Sequence, residues 1–368
     1  MSVYPDSTRS LLLRAALWPA EAAREELLRW SARVPGEPDN PSLRIFPAVC
    51  SNLEQAHLPP ALQARLIDTY RRSRMKGLVQ QLALGALLDA LCSRKASFQL
   101  MLLKGAALRE QAYGDCARRP MGDVDLLARP GQTDELDCHL RAAGWQLEAV
   151  DAHSSHYRGP SGLEVDLHQV ALQDCRWPNV DDDFWSMSTS ARLEGHPVRI
   201  PCASHNLLQA CVHGSSSDGG DSPWAVDAWL LLNQVRWEVF LEAAERRRLA
   251  LPCLGALTYL REQLGAEIPE WVLRHLACVP VRASERAYFW FRGRQNRGLR
   301  YFVFDLLDYR RNPGLKGPQR LGYIGHLQRR WSLASPLSVF SEVGRRAVLQ
   351  VRGGVDPHLD RLRRAQGR

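Results

Sequence analysis

The sequence predicts an α+β fold, with a small mixed β-sheet at its centre and helical segments before and after it. Residues 124–127 and 163–167 alternate apolar and acidic side chains, which is typical of strands with one buried face. A third apolar run, residues 98–103, ends at Lys104–Gly105 and leads into a helical stretch that reaches Tyr113. Long runs of apolar residues at helical spacing flank this part of the chain.

Acidic side chains are expected to meet at one edge of this sheet. Residues two apart in a strand share a face, so Asp123 and Asp125 point the same way. By the same rule Glu164, Asp166 and His168 share one face of the second strand. Clustered carboxylates repel one another unless a cation lies among them, and hard oxygen ligands suit Mg²⁺ or Mn²⁺. If the strands are neighbours, they form a divalent-metal site.

The turn at Lys104–Gly105 predicts an anion site beside these carboxylates. A strand that passes through glycine into the start of a helix leaves backbone N–H groups free to bind a phosphate. Lys104 adds a positive charge at the same place. A phosphate cradle, a lysine and a metal site together are what phosphoryl or nucleotidyl transfer requires.

Four motifs resemble one known family. They are LLKGAAL at residues 102–108, R-x-x-x-D-V-D-L-L at residues 119–127, a helix ending in Gly-Trp at residues 142–145, and VDLH at residues 165–168. In this order they are similar to a bacterial branch of largely uncharacterised nucleotidyltransferases within the DNA polymerase β-like superfamily. The resemblance is specific over residues 98–170 and fades outside them.

The resemblance implies roles for individual residues. Asp123 and Asp125 would hold the catalytic metals, and Asp166 would be the third carboxylate, which helps to activate an acceptor hydroxyl. Gly105 would contact the triphosphate through its backbone. The superfamily usually has a serine after this glycine, whereas this chain has Ala106, which is also predicted to lie at the nucleotide. Lys104 could supply a compensating charge.

Two further residues are predicted at the nucleotide, each with an alternative. Arg119 either reaches a phosphate or forms an ordinary ion pair with Asp123. His168 either hydrogen-bonds a carboxylate or phosphate, or caps a strand edge.

A second tier of candidates lies further along the chain. The family shows an H…W-x-x-D arrangement there, and His213, Trp224 and Asp227 fit it loosely.

The chain is divided into four predicted regions: a helical segment at 1–95, the catalytic core at 96–203, a helical domain at 204–283 and a basic, aromatic-rich region at 284–368. Helices are expected at 8–34, 133–143, 206–212 and 224–234. Residues 60–92 are expected to form one long helix or two, and residues 237–278 two or three helices with breaks at 251–252 and 265. Residues 35–42 read as a loop and 192–200 as a hairpin.

Charge and composition limit the remaining possibilities. The last region has 18 Arg and Lys against 6 Asp and Glu, so it is predicted either to bind an acidic partner or to present a solvated basic face. No apolar run is long enough for a transmembrane helix. Nine cysteines without a C-x-x-C pair predict reduced thiols in the cytoplasm.

The leading hypothesis is a magnesium- or manganese-dependent nucleotidyltransferase. It would move a nucleotide from a nucleoside triphosphate such as ATP to an acceptor hydroxyl of a metabolite, a peptide, an RNA or a protein. One alternative is a transferase that uses a nucleotide sugar on the same fold. Another is a non-catalytic nucleotide-binding or scaffold protein with a degenerate site.

Overall fold

The computed structural model describes residues 4–54, 56–92, 98–151, 153–216, 223–294, 299–312, 322–331 and 333–351. It confirms the α+β class, since a seven-stranded mixed sheet lies among helices. The end of the predicted basic region, residues 352–368, lies outside the described residues. The four predicted region boundaries stay predictions. One hydrophobic cluster contains buried residues from Leu11 to Phe289 and so draws on all four regions.

The strands are β1 Leu100–Leu102, β2 Val124–Ala128, β3 Gln146–Val150, β4 Ser154–Arg158, β5 Glu164–His168, β6 Thr189–Leu193 and β7 His196–Ile200. Their order in the sheet is β3-β4-β5-β2-β1-β7-β6. The central strand β2 pairs parallel with β5 and antiparallel with β1, and all five of its residues are buried. The predicted hairpin is β6–β7, which extends the same sheet because β7 pairs with β1.

The two faces of the sheet contact different cores. Val124, Leu126 and Ala128 belong to a cluster that includes leucines of the helix over residues 84–91. Leu127 belongs to the larger cluster, which includes the helices after the sheet. Because side chains alternate along a strand, Asp125 shares the face of Leu127. Its carboxylate therefore points toward the later helices.

The helices before and within the sheet are α1 Ser7–Leu17, α2 Ala20–Arg33, α3 Asn40–Asn52, α4 Pro60–Cys92, α5 Lys104–Leu108, α6 Thr133–Ala142 and α7 Asp182–Ser186. A π-helical turn, Arg109–Tyr113, follows α5. The predicted helix at 8–34 is divided into α1 and α2. The loop predicted at 35–42 is shorter than expected because α3 begins at Asn40, where Asp39 caps the helix by accepting a hydrogen bond from Ser42 N.

The later helices are α8 Ala203–Gly214, α9 Trp224–Leu231, α10 Trp237–Arg246, α11 Ala250–Leu264, α12 Glu270–Cys278, α13 Ala283–Arg292, α14 Leu299–Arg311, α15 Gly322–Arg330 and α16 Ser338–Val351. The predicted break at 251–252 is wrong. Pro252 lies in the first turn of α11, where its missing N–H removes no helical hydrogen bond. The chain breaks instead at residues 247–249, and Gly265 ends α11 as expected.

Some of the basic residues after residue 283 have structural partners. Arg311 donates to backbone oxygens of Asp174 and Arg247, and Arg346 pairs with Glu342. An acidic partner for this region stays a prediction. Among the described residues, no helix has the length and apolarity needed to cross a membrane. The eight cysteines with described side chains are free thiols.

Candidate active site

Parallel pairing of β2 with β5 places two predicted carboxylates side by side. Asp125 and Asp166 are direct partners in this register, and His168 ends the same strand as Asp166. One ligand atom from each of these three residues lies within 4.8 Å of the others. Asp125 is nearly fully buried, while Asp166 retains 13% of its side-chain exposure. Two carboxylates and an imidazole at this spacing could hold a divalent cation.

Lys104 contacts this cluster from the end of β1. Its Nζ lies 2.5 Å from Asp125 Oδ1, and its backbone has a φ of 46°, an uncommon conformation for a residue with a side chain. Burial opposes the charge of Lys104, but the carboxylates of Asp125, Asp123 and Asp166 raise the pKa of its ammonium group. Lys104 is therefore protonated at neutral pH.

The charge state of Asp125 follows from its two partners. Burial alone would raise the pKa of this carboxyl group, but Lys104 and His168 hold it well below its usual range. His168 Nε2 donates a hydrogen bond to Asp125 Oδ1 at 2.8 Å. His168 Nδ1 is buried without a hydrogen-bond partner.

Asp123 lies beside this cluster but is not one of its three closest members. Burial, followed by the charges of Asp125 and Asp166, raises the pKa of the Asp123 carboxyl group. A cation near the three carboxylates would reverse that repulsion.

The sequence analysis did not identify the partner of Asp166. His156 lies opposite Asp166 in the β4–β5 ladder, and its Nδ1 is 2.5 Å from Asp166 Oδ1. Its Nε2 lies 2.9 Å from Asp151 Oδ2. Hydrogen bonds to these two carboxylates raise the pKa of His156 to about 10. His156 is therefore protonated at neutral pH and offsets the charge of Asp166.

Arg119 is held by a residue of the second-tier motif. Its Nε and Nη2 donate to the two carboxylate oxygens of Asp227 at 2.7 and 2.8 Å, and Tyr113 OH donates to the same carboxylate at 2.7 Å. Arg119 Nη1 also lies close to Gly105, where an added Cβ would approach it to 3.1 Å and Met121 Sδ to 2.7 Å. Gly105 is therefore required for close packing.

Trp224 and His213 lie at the junction of α8 and α9. A Cβ on Gly214 would lie only 2.3 Å from the Trp224 ring, so the indole packs directly on the backbone that follows His213. The Trp224 ring is fully buried. Burial, with the positive charges of Lys104, Arg292 and Arg119, lowers the pKa of His213 to about 3. His213 is neutral over the physiological range.

Most of the predicted site residues line a cavity of about 520 Å³. The predicted residues that line it are Lys104, Gly105, Arg119, Asp123, Asp125, His168, His213, Trp224 and Asp227. Asp166 does not line this cavity, but one of its carboxylate oxygens lies within 4.8 Å of the ligand atoms of Asp125 and His168. Ala106 lies with the cluster on the other face of the sheet and lines a separate cavity there. The position that usually holds a serine thus faces away from the site.

Several residues of the same cavity were missed in the sequence. They are Arg44 from α3, His153 before β4, Asp174 after β5, Asn206 and Gln209 from α8, and Arg292 from α13. The spacing of 206, 209 and 213 along one helix face was the one available signal. The others are brought in by contacts between distant parts of the chain, which no local pattern reveals.

Comparison with solved structures finds two proteins that resemble part of this chain at low similarity. One is the solution structure of the antibiotic-resistance factor ANT(2'')-Ia, at 14% identity and a TM-score of 0.36, which covers 51% of this chain and 98% of that one. The other is an antigenic nucleotidyltransferase-like protein from Paracoccidioides brasiliensis, at 19% identity and a TM-score of 0.36, covering 53% and 96%. No curated protein matches the chain.

The family described as uncharacterised nucleotidyltransferase matches residues 42–265, which contain every predicted site residue and the whole sheet. The match extends well beyond residues 98–170, into α3 on one side and α11 on the other. The chain therefore belongs to the family of uncharacterised nucleotidyltransferases.

Proposed function

We propose that this protein is a metal-dependent nucleotidyltransferase that moves a nucleotide from a nucleoside triphosphate to an acceptor hydroxyl. The observation that carries the proposal is the cluster of Asp125, Asp166 and His168 next to Lys104. Carboxylates and a lysine in one cavity supply the metal ligands and the phosphate charge that this reaction needs. The cavity, about 520 Å³, has the size of a small-molecule site.

The donor set fits a divalent cation such as Mg²⁺ or Mn²⁺. Asp125 and Asp166 would hold the ion, with Asp123 beside them and the unpartnered, buried Nδ1 of His168 as a further polar atom in this group. The raised pKa of Asp123 reflects carboxylate repulsion that a cation would relieve. When bound, the ion would neutralise charge on the phosphates during transfer.

Lys104 and Gly105 would bind the triphosphate. Lys104 Nζ brings a positive charge to 2.5 Å from Asp125 Oδ1, and Gly105 lies in the first turn of the short helix α5. Arg119 is assigned to positioning, because its Nε and Nη2 both donate to Asp227. It would keep Gly105 and Met121 in place.

The reaction would form a bond between the acceptor oxygen and the α-phosphorus and break the bond to pyrophosphate. Asp166 would accept the hydroxyl proton, and pyrophosphate would leave with the electron pair of the broken bond. His156 holds one oxygen of Asp166 and so fixes its orientation. The acceptor hydroxyl would belong to a metabolite, a peptide, an RNA or a protein.

One observation favours a second candidate, a non-catalytic nucleotide-binding protein. Lys104 pairs with Asp125, and His156 pairs with Asp166, so the chain itself offsets much of the repulsion between these carboxylates. Clustered acids therefore do not by themselves require a metal. Binding and turnover must be measured separately.

The test is calorimetry and thermal shift with the four nucleoside triphosphates and several nucleotide sugars, with and without MgCl₂ or MnCl₂. We expect one triphosphate to bind in a metal-dependent manner to the wild type and to lose that dependence in Asp125→Asn. Asp134→Asn, an exposed acid in the first turn of α6, is the matched control and should bind normally.

Turnover is then followed as pyrophosphate release with pooled candidate acceptors. Release that stops in Asp166→Asn supports the transferase. Metal-dependent binding without release from any acceptor pool favours the non-catalytic candidate. The absence of any nucleotide binding would contradict both the transferase and the nucleotide-binding candidate.

A further inference from the structure

A second cluster of reactive side chains lies at the start of α8, outside the candidate active site. Cys202 immediately precedes the helix, and its Sγ lies 3.2 Å from Nδ1 of His205. The other ring nitrogen of His205, Nε2, lies 3.3 Å from Asp183 Oδ2. Cysteine, histidine and aspartate thus form a continuous hydrogen-bonded chain, here called the thiol cluster.

The imidazole in the thiol cluster is rigidly held. His205 is fully buried, and its ring stacks on Phe184 with centroids 4.2 Å apart. Asp183 is fixed in turn by Arg247, whose Nη1 donates to it at 2.7 Å. Burial would raise the pKa of Asp183, but His205 and Arg247 hold it well below its usual range. The carboxylate is therefore ionised and supports a protonated His205.

The surroundings of the sulfur favour a thiolate. Burial raises the pKa of Cys202, but the hydrogen bond and charge of His205 and the backbone N–H groups of His205 and Ser204 lower it overall. The pKa of His205 is raised, since burial is outweighed by Asp183 and Cys202. Cys202 itself is half-buried and retains access to small reagents. A thiolate beside an imidazolium is the reactive form of cysteine.

We propose that the thiol cluster is a modification site at which small hydroperoxides oxidise Cys202 to a sulfenic acid, with His205 as the proton donor. The sulfur attacks one peroxide oxygen, an S–O bond forms and the O–O bond breaks. With hydrogen peroxide, one OH group stays on sulfur as the sulfenic acid, and the other takes the imidazolium proton of His205 and leaves as water, so His205 becomes neutral. Sulfur is oxidised by two electrons and the peroxide is reduced by two.

The thiol cluster is connected to the cavity through α8. α8 begins directly after Cys202 and carries Asn206, Gln209 and His213, which line the cavity. Cys202 itself does not line it. The inference is independent of the proposed transferase activity.

The chain provides its own reference thiols, because Cys138 and Cys278 are more exposed than Cys202. The full-length protein is treated with hydrogen peroxide at pH 6, trapped with dimedone and analysed by peptide mass spectrometry. We expect Cys202 to be labelled about tenfold faster than either reference thiol, since at this pH the thiolate fraction controls reactivity. Labelling of Cys202 no faster than Cys138 and Cys278 would overturn the proposal.

Two variants test the roles of Cys202 and His205. Cys202→Ser must abolish the rapidly formed dimedone-labelled peptide. His205→Asn should reduce Cys202 labelling toward that of Cys138, and its circular dichroism melt shows whether it folds. If His205→Asn does not fold, the test is made on the wild-type protein by measuring the rate of iodoacetamide alkylation at different pH values. The rate at Cys202 should reach half its maximum at a lower pH than the rate at Cys138. Coinciding pH profiles contradict the inference.

Discussion

Arg119 and Asp227 form a buried two-point ion pair that joins two motifs 108 residues apart. Arg119 opens the R-x-x-x-D-V-D segment before β2, and Asp227 lies in the first turn of α9. Both side chains are at least nine-tenths buried. Charge-assisted bidentate bonds of this kind fix orientation as well as adding energy. The pair therefore ties the segment before β2, the strand that carries Asp125, to α9, which contributes Trp224 and Asp227 to the cavity.

Asp227→Asn is expected to destabilise the fold strongly. The substitution leaves the buried guanidinium group of Arg119 without its counter-charge, which costs about 3–5 kcal/mol in the free energy of unfolding. Urea unfolding at pH 7 measures the change. Asp68→Asn is the control, because its pair with Arg72 is exposed and should contribute less than about 1 kcal/mol. Equal effects of the two substitutions would contradict the role assigned to the buried pair.

Local pattern was enough to predict the elements that carry the carboxylates. Alternation of apolar and acidic residues gave β2 and β5, and the parallel pairing of these strands puts Asp125 opposite Asp166. The long helix α4 and the helix α6 also follow their apolar spacing. These features depend on residues that are close together in the chain, so they can be predicted from the sequence without knowledge of the tertiary contacts.

What the sequence could not reveal depends on contacts between distant segments. His156 reaches Asp166 only through the register of β4 against β5. Arg44 enters the cavity from α3, a helix that contains Pro47 and follows a proline-rich stretch typical of a loop. Ala106 follows Gly105 in sequence, yet the turn of α5 directs it to the opposite core. Such placements are set by packing rather than by local propensity.

Gly105→Ala is expected to distort the candidate nucleotide site. An added Cβ would meet Met121 Sδ at 2.7 Å and Met121 Cγ at 2.9 Å, so Met121 or the chain around Gly105 must move. We expect at least tenfold weaker binding of the preferred nucleoside triphosphate, a loss of about 1.4 kcal/mol. Calorimetry measures this affinity.

Two further variants test the steric cause. Gly36→Ala, where nothing lies within 4 Å of the added methyl group, should bind as the wild type does. Gly105→Ala combined with Met121→Ala removes the clashing atoms and should recover part of the affinity. If the double variant binds no better than Gly105→Ala, the clash with Met121 is not the cause.

We expect the free energy of unfolding to fall in mild acid because of His213. Burial and neighbouring positive charges lower its folded-state pKa to about 3, whereas an unfolded histidine has a pKa of about 6.5. Between these values the unfolded chain binds more protons than the folded chain, so the free energy of unfolding decreases as pH falls below about 6.5. His153, with a pKa of about 3, acts in the same direction.

The measurement is urea unfolding at pH 7.5 and pH 5. His213→Gln cannot take up this proton and should lose less stability between the two values than the wild type does. His57→Gln, at an exposed position, should show the wild-type difference. An unchanged difference in His213→Gln would contradict the prediction.

Asp174 and Arg292 are expected to hold α13 against the segment that follows β5. Arg292 Nε and Nη2 lie 2.5 and 2.8 Å from the two carboxylate oxygens of Asp174, and Nη1 donates to Val212 O at 2.9 Å. Asp174→Asn leaves the buried Arg292 without its charge partner, at a cost of about 3 kcal/mol or more in the free energy of unfolding. Hydrogen exchange of α13 amides should also accelerate, because this pair anchors the helix.

The control for this last change is Glu270→Gln, which breaks an exposed pair with Arg261 on neighbouring helices. It should leave both unfolding and α13 exchange within experimental error, since exposed pairs contribute little. If Asp174→Asn unfolds like the wild type and α13 remains equally protected, the helix is held by its apolar contacts alone.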